Sequence, residues 1–297
     1  MFCYVILHYK NIQDTRKCLD SLIKTAAQTS HFIVVDNGSN DSSGEQLQKE
    51  YKSKQVDFLI LKDNIGFSKG NNVGFRFAKN NYSPDFMVIS NNDVVFHQEN
   101  FEKQVIKIYS QEGFDVLGPD VYIPKNKEHQ NPIFLEGITI KELTNEIEEY
   151  KKYESNPSKF KKRLKLHWVK NRIVSQSLVA RKLYSRIRNK EEIDYRNEYE
   201  NVGLQGSCII ISKRYIQNEE KMFDPEPFLY CEEEFLYYKC QDKGYKVLYS
   251  PQIRINHEEA ASFTYANSNE LERLKFMLRQ HVAAREMLLD YLKARED

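Results

Sequence analysis

Short runs rich in β-branched residues recur along the first 120 residues, and each gives way to polar sequence carrying apolar residues at helical spacing. "FCYVILHY" is followed by Cys18, Leu19, Leu22 and Ile23, and "HFIVVD" by a helix opened with Ser42-x-x-Glu45. "VDFLIL" leads into "NNVGFRFAKNN", with Val73 and Phe77 on one face, and "FMVIS" supplies a fourth run. Such runs read as strands, and their alternation with helices predicts an α/β fold: a Rossmann-like, mainly parallel sheet flanked by helices. Ligands of such sheets sit beyond the carboxyl ends of the strands. Polar residues gather at those four ends: His8 to Asn11, Asp36 to Asp41, Asn64 to Gly66, and Asn91 to Asp93. The last group cuts "FMVISNNDVVF" abruptly. A buried amide or carboxylate without partners costs about 1–3 kcal/mol, so this trio predicts a strand surfacing where something polar meets it.

From Pro124 to Tyr199 the pattern changes to long polar helical sequence, including "KELTNEIEEYKKYE", which reads as a helical insertion over 124–200. Sheet-like sequence resumes with "GSCIIIS", an acidic helix start at Glu232, "KVLYS" and "IRINHEE"; a long helix with an Asn267-x-x-Glu270 capping box then occupies 266–297. Leu271, Leu274, Leu278, Val282, Leu288, Leu289 and Leu292 lie largely on one face of it, a surface on which an oligomer could pair. The sheet-forming parts are 1–123 and 201–265.

Forty-four basic against 43 acidic residues leave a net charge of +1, which gives no reason to expect nucleic acid as a partner. Five scattered cysteines without a CxxC pair exclude a disulfide framework or zinc site and fit a reducing cytoplasm. "MFCYVILHYK" is too short for a secretory signal, and no apolar run approaches the roughly 20 residues that span a bilayer, so a soluble or peripheral protein is expected. Between Lys159 and Lys190 lie 12 lysines and arginines and no acidic residue, interleaved with Trp168 and aliphatic residues. Two readings stay open for this stretch: an element lying on an anionic membrane surface, or a helical hairpin packed on the core with a solvated basic face.

Three loops carry candidate chemistry. "VVDNGSNDSS" places Asp36 at a strand end and follows it with a turn containing Ser39 and Asp41, in which Asp41 and Ser42 also suit capping of the next helix. "NIGFSKGNNVG" offers Gly66, Gly70 and Gly74 near Asn64 and Asn71, letting backbone approach a ligand closely. Neither GxGxxG nor a Walker sequence is present, which excludes those phosphate cradles. In "FLYCEEEFLYYKC", Glu232, Glu233 and Glu234 stand together beside Phe228, Tyr230 and Phe235. Acidic residues suit a helix start, yet crowded like charges beside aromatic rings also raise a carboxyl pKa, which makes a general base.

"VVDNGSND", "NIGFSKGNNVG", "SNND", "GSCIIIS", "FDPEPFLYCEEEF" and "INHEEAAS", in this order and spacing, resemble the inverting glycosyltransferases of family 2, which have the GT-A fold. The likeness is nearest to rhamnosyltransferase-like enzymes of bacterial surface-polysaccharide assembly, in which "HQNP" (His129 to Pro132) is also familiar. The resemblance implies a UDP- or dTDP-sugar donor and a saccharide acceptor, typically lipid-linked, handled at the inner face of the cell membrane. It implies that 1–123 binds the nucleotide-sugar and 201–265 the acceptor. Asp36 would bind the base, walled by Tyr9, and Asn64 and Asn71 would lie near the ribose and sugar. Ser39, Asp41, Gly66, Asn92, His129, Gln130, Asn131 and Gly206 complete the implied substrate-binding set. Asp93 and His257 would hold a divalent metal, Mn²⁺ or Mg²⁺, with Asn91 standing where the family carries its first motif carboxylate. Glu233 would be the base, with Glu232 the alternative because the family's Glu-Asp pair is here Glu-Glu. A sugar-phosphate nucleotidyltransferase is the rival enzyme, disfavoured because "HYKNIQD" is not a Gly-rich phosphate loop; a non-catalytic saccharide- or nucleotide-binding scaffold is the rival from outside enzymes.

Overall fold

The structure is a computed structural model and describes residues 1–52, 54–163, 193–259 and 270–296. Most of the basic stretch after Lys159, and the Asn267 capping box, lie outside the described residues. Strands and helices alternate as β1 (Phe2–His8), α1 (Ile12–Thr25), β2 (His31–Asp36), α2 (Ser43–Glu50), β3 (Val56–Ile60), α3 (Phe67–Tyr82) and β4 (Phe86–Asn91). They continue through β5 (Val94–Val95), α4 (Phe101–Glu112), β6 (Val116–Ile123), β7 (Glu128–His129), α5 (Ile140–Ser155), β8 (Tyr199–Glu200) and β9 (Cys208–Ser212). The chain then forms α6 (Lys213–Asn218), α7 (Glu232–Lys243), β10 (Val247–His257) and α8 (Glu270–Glu296).

The sheet runs β3-β2-β1-β4-β9-β6-β10-β5, with β7 beside β6 and β8 beside β10. β1 to β4 are mutually parallel, with His8 opposite Asp36 and Leu7 opposite Asn91, so the four polar strand ends expected from the sequence do open on one edge. β9 is antiparallel to both β4 and β6. Alternate residues feed two cores, as a sheet covered on both faces requires. Tyr4, Ile6, Val34 and Val88 join α1 and α4 on one face; Val5, Val35, Ile89 and Ile209 join α3 and α7 on the other.

Two features differ from the sequence expectation. Gly70 and Gly74 are not ligand-facing loop residues but lie inside α3: a Cβ on Gly74 would stand 2.3 Å from Val5 Cγ1, and one on Gly70 2.7 Å from Leu7 Cδ1. They let the helix lie close on β1, and only Gly66, at φ 90°, belongs to the loop. The second is the start of α2. Ser42 takes a left-handed conformation and caps nothing; Asp41 Oδ1 instead accepts the Ser43 N–H at 3.1 Å and its hydroxyl at 2.5 Å.

The chain divides into two compact units, Met1–Gly137 with Tyr195–Ala266, and Ile138–Asp194 with Asn267–Asp297. The first holds the sheet, including β7 and β8, so the second unit takes a narrower part of the chain than 124–200. In the second unit α5, opened by a Thr139–Glu142 capping box, packs on α8. Arg285 bonds Glu146 at 2.9 Å, and Leu278, Val282, Leu288 and Leu292 are buried whereas Leu271 is exposed. Among the described residues no helix is long and apolar enough to cross a membrane.

Candidate active site

α7 begins under strain. Tyr230 and Cys231 hold φ of 74° and 64°, a pair of left-handed non-glycine residues costing about 1–3 kcal/mol each. The helix then opens on Glu232, Glu233 and Glu234. Glu232 is 5 % exposed and its Oε1 has no hydrogen-bond partner, so burial first, then the charges of Glu233 and Glu234, push its carboxyl well above the usual value. Glu233 is half-buried and is also pushed up by desolvation, but its Oε1 accepts the Gly206 N–H at 3.2 Å, which favours the ionised form. Burial thus raises both adjacent carboxyls, and backbone N–H groups that favour the ionised form oppose it at each: those of Glu232 and Tyr230 at Glu232, and those of Glu233 and Gly206 at Glu233.

The neighbour of Gly206 ties this helix to the polar strand end. Ser207 O accepts the Asn91 N–H at 2.8 Å, so the dipeptide Gly206–Ser207 holds Glu233 on one side and the last residue of β4 on the other. Two residues on, Asp93 is 8 % exposed, and its Oδ1 lacks a hydrogen-bond partner while standing 3.3 Å from His257 Nε2. β5 and β10 bring these residues together by pairing Val94 with His257. Gln130 fixes the ring: its Oε1 faces His257 Nδ1 at 2.8 Å, and its Nε2 donates to Glu259. An amide oxygen only accepts, so Nδ1 carries the hydrogen and Nε2 faces the Asp93 carboxylate. An imidazole in that orientation, its outer N–H held by an oxygen, is the usual posture of a metal-bound histidine. Negative charge converges here as well, since burial and then the charge of Asp93 raise the pKa of Asp14, with Glu258 adding to it. The donor set therefore fits a divalent cation. Among the described residues no three His, Cys, Asp or Glu side chains group closely enough to hold one alone. Substrate oxygen and water would complete the coordination.

The loops that follow β2 and β3 are bound to each other. Asn37 Nδ2 donates to Asn64 Oδ1 and Gly66 O, and Asn37 Oδ1 accepts from Ile65 N–H, which joins the ends of β2 and β3. Gly66 packs on Phe228, and Phe67 N–H bonds Phe228 O at 2.7 Å, so this loop also touches the segment leading to Glu232. Asp36 is turned inward: Oδ1 takes the Ser39 N–H at 3.0 Å, and Oδ2 lies 2.1 Å from where a Cβ on Gly44 would stand. Ser39 Oγ in turn accepts the Lys10 N–H, and Lys10 Nζ lies over the Tyr9 ring at 5.2 Å. Beneath these loops runs a buried relay. Asn92 Nδ2 bonds Thr15 Oγ1 at 2.9 Å, Thr15 Oγ1 meets His8 Nδ1 at 2.7 Å, and His8 Nε2 meets Ser43 Oγ at 2.7 Å, which reaches Asp41. Burial lowers the His8 pKa against the pull of Asp36 and Asp41, so the ring is neutral.

Some expected residues serve the frame. Asn131 is buried, with Nδ2 on Pro119 O and Oδ1 on Gln205 N–H, so both ends of its amide are occupied. Asn71 lies within α3, giving Nδ2 to Phe67 O while its buried Oδ1 has no partner. His129 does not join Gln130 at the Asp93 pair; its Nδ1 bonds Asp120 Oδ1 at 2.7 Å. Residues not singled out from the sequence do much of the positioning. Thr15 had a readable signal, a hydroxyl on the stripe formed by Cys18, Leu19 and Leu22. Asn72, clamped to the Phe223 backbone and Glu226, had none.

The sequence profile of the family described as "Glycosyl transferase family 2" matches residues 3–188. Similar proteins include the low-salt glycan biosynthesis hexosyltransferase Agl10 of Haloferax volcanii, 22 % identical over 39 % of this chain and 35 % of that protein. They also include glycosyltransferase GlyA of Streptococcus pneumoniae, 30 % identical over 38 % of this chain and 16 % of that protein. The match thus spans a minor part of either relative. Among solved structures, S. aureus TarS 1-349 in complex with UDP-GlcNAc superposes with a TM-score of 0.53 at 15 % identity, over 97 % of this chain and 70 % of that one. GalNAc-T7 with UDP, GalNAc and Mn2+ gives 0.53 at 13 % identity, over 86 % and 43 %. At these identities the likeness concerns the fold, which is GT-A.

Proposed function

Glycosyl transferase family 2 is the family to which this chain belongs, and from that premise we propose that it is an inverting, metal-dependent glycosyltransferase. It moves a sugar from a UDP- or dTDP-sugar to a saccharide acceptor in bacterial capsular or other surface-polysaccharide synthesis. One observation carries the reading: Gly206–Ser207 joins the Glu233 carboxylate to the strand end that leads to Asp93, so a base and a candidate metal ligand share one crevice. The names of its relatives support sugar transfer in glycan assembly, and the fold neighbours hold UDP, UDP-GlcNAc or Mn2+.

Glu233 accepts the proton of an acceptor hydroxyl, whose oxygen forms the new bond to the anomeric carbon as the bond to the nucleoside diphosphate breaks on the opposite side. Glu232 stands beside Glu233, buried, with one carboxyl oxygen unpaired. The Asn37–Asn64–Gly66 ties and the Asp36–Ser39 turn shape the wall for the nucleotide, and the orphan Oδ1 of Asn71 suits a donor hydroxyl. Asp93 and His257 would hold the cation, which when bound supplies positive charge to the departing diphosphate.

The test is a panel of nucleotide-sugars with Mn²⁺ or Mg²⁺, read by nucleoside diphosphate release and product stereochemistry. Glu233→Gln should leave donor binding near wild type and lower kcat by roughly 10²–10⁴-fold, the usual contribution of a positioned base. In wild type, kcat/KM should rise with pH along a limb displaced above the ordinary carboxyl value of 4.5. A dead Glu232→Gln beside an active Glu233→Gln would move the base by one residue. Retained configuration in the product would overturn the displacement.

A further inference from the structure

A second concavity, of about 630 Å³, opens beside β6, β7 and β10, within the roughly 300–1,000 Å³ of small-molecule sites. It lies across the sheet from the Asp93 pair. The pleat sends His129 and Arg254 to one face and Gln130 and His257 to the other. Its wall is made by a bulge: Pro119 pairs with Ser250 and Asp120 with Arg254, so three residues of β10 have no counterpart and Pro251 and Gln252 are thrown outward. Glu198 holds the bulge by accepting from Ser250 Oγ at 2.6 Å and Gln252 Nε2 at 2.8 Å.

The side chains are pre-arranged. Asp120, 4 % exposed, anchors His129 Nδ1 through Oδ1 and stands 3.6 Å from Arg254 Nε through Oδ2. The Arg254 guanidinium lies flat over Tyr122, 3.8 Å from its centroid, and the His129 ring stacks on Tyr195 at 3.4 Å and 6°. Tyr195 is itself fixed, its carbonyl accepting the Tyr249 hydroxyl at 2.5 Å. Lys127 and Arg196 complete the rim, so three cations and one carboxylate, Asp120, line the concavity, with Glu198 behind the bulge. Planar ring faces suit the apolar faces of a sugar, and guanidinium forks suit phosphate or carboxylate oxygens.

We propose that this concavity is an anionic-saccharide site, binding a phosphate- or carboxylate-bearing sugar unit of the acceptor glycan apart from the transfer centre. The assignment rests on the saccharide acceptor proposed above. Loss of a charged hydrogen bond costs about 1.5–3 kcal/mol, so removing one rim cation should weaken binding by roughly 10- to 100-fold.

Calorimetric titration of the full chain with a glucuronate-containing oligosaccharide, an oligo(glycerol phosphate), a neutral oligosaccharide and inorganic phosphate tests it. One of the anionic oligomers should bind and the neutral one should not; which one binds tells carboxylate from phosphate. Arg254→Gln and Lys127→Gln should each lower that affinity about tenfold or more, and Lys127, exposed on the rim, guards against a folding defect at Arg254. Donor hydrolysis to water, measured on the same samples, should be unchanged in both variants. If no nucleotide-sugar is turned over yet the charge-dependent binding persists, the site stands and the transferase reading falls. Equal binding of neutral and anionic oligomers, binding of inorganic phosphate alone, or unchanged affinity in both variants overturns the site.

Discussion

Glu232 shows what a buried carboxyl with one unpaired oxygen implies. Its carboxyl is pushed up first by burial away from water and then by the neighbouring carboxylates, so the fold binds that proton more tightly than the unfolded chain does. Stability therefore falls as pH rises from the ordinary carboxyl value of 4.5 towards the raised one. Glu232→Gln removes the dependence. The variant should melt roughly 2–4 °C higher than wild type at neutral pH, about 1 kcal/mol for a chain of this size, with the difference gone below about pH 4. A variant less stable than wild type at pH 7 would mean that Glu232 is ionised and satisfied. At Asp93 the unpaired oxygen is the one proposed above to meet a cation. Asp93→Asn should weaken Mn²⁺ binding more than about tenfold, counted as free Mn²⁺ by electron paramagnetic resonance with UDP present. An unchanged affinity would remove Asp93 from the metal. Asp93 was readable in sequence as part of a polar interruption of an apolar run, and Glu232 as one of three crowded carboxylates at a helix start. What was not readable is the environment that separates Glu232 from Glu233, which depends on Gly206, 27 positions away.

At the scale of elements, local pattern revealed most strands and helices because period-two and helical apolar spacing survive any tertiary context. Glycine spacing did not carry its own meaning. Gly66, Gly70 and Gly74 stand at intervals of four, which suits a ligand loop and a helix laid on a strand equally well, and only the partner strand decides. Gly74→Ala tests the second case. Its Cβ would meet the stiff, β-branched Val5 at 2.3 Å, so the helix must move and stability should fall by about 1–3 kcal/mol, read by urea denaturation. Gly70→Ala, facing the end of the flexible Leu7 side chain at 2.7 Å, should cost less. Equal effects would mean that α3 shifts as a body. The start of α2 makes the same point. Ser42-x-x-Glu45 matches a capping box, but Asp41 reaches the Ser43 N–H first and ties it to the His8 relay.

On the scale of the whole molecule, the order of the strands is the feature that sequence pattern could not supply. Nothing in "GSCIIIS" says that it pairs between runs that precede it by about 90 and 120 residues, because strand pairing leaves no local trace. The free cysteines, by contrast, were legible from count and spacing. All five are buried, and desolvation raises the thiol of Cys3 to about 12 and of Cys240 to about 12. A thiol reagent should therefore label none of them in the native protein and all five once it is unfolded, with absorbance as the readout; rapid labelling of any native thiol would show that its strand or helix opens. The late arrival of β9 also bears on synthesis. Until Ser212 has left the ribosome, β4 and β6 have no common neighbour and each shows an unpaired edge, so the first 200 residues emerge as an unfinished sheet open to wrong partners. The strand that closes this gap precedes the segment bearing Glu232 and Glu233, whereas β10, which pairs with β6 and β5 and carries His257, follows it, so the acidic pair leaves the ribosome with this gap closed but ahead of the strand that brings His257.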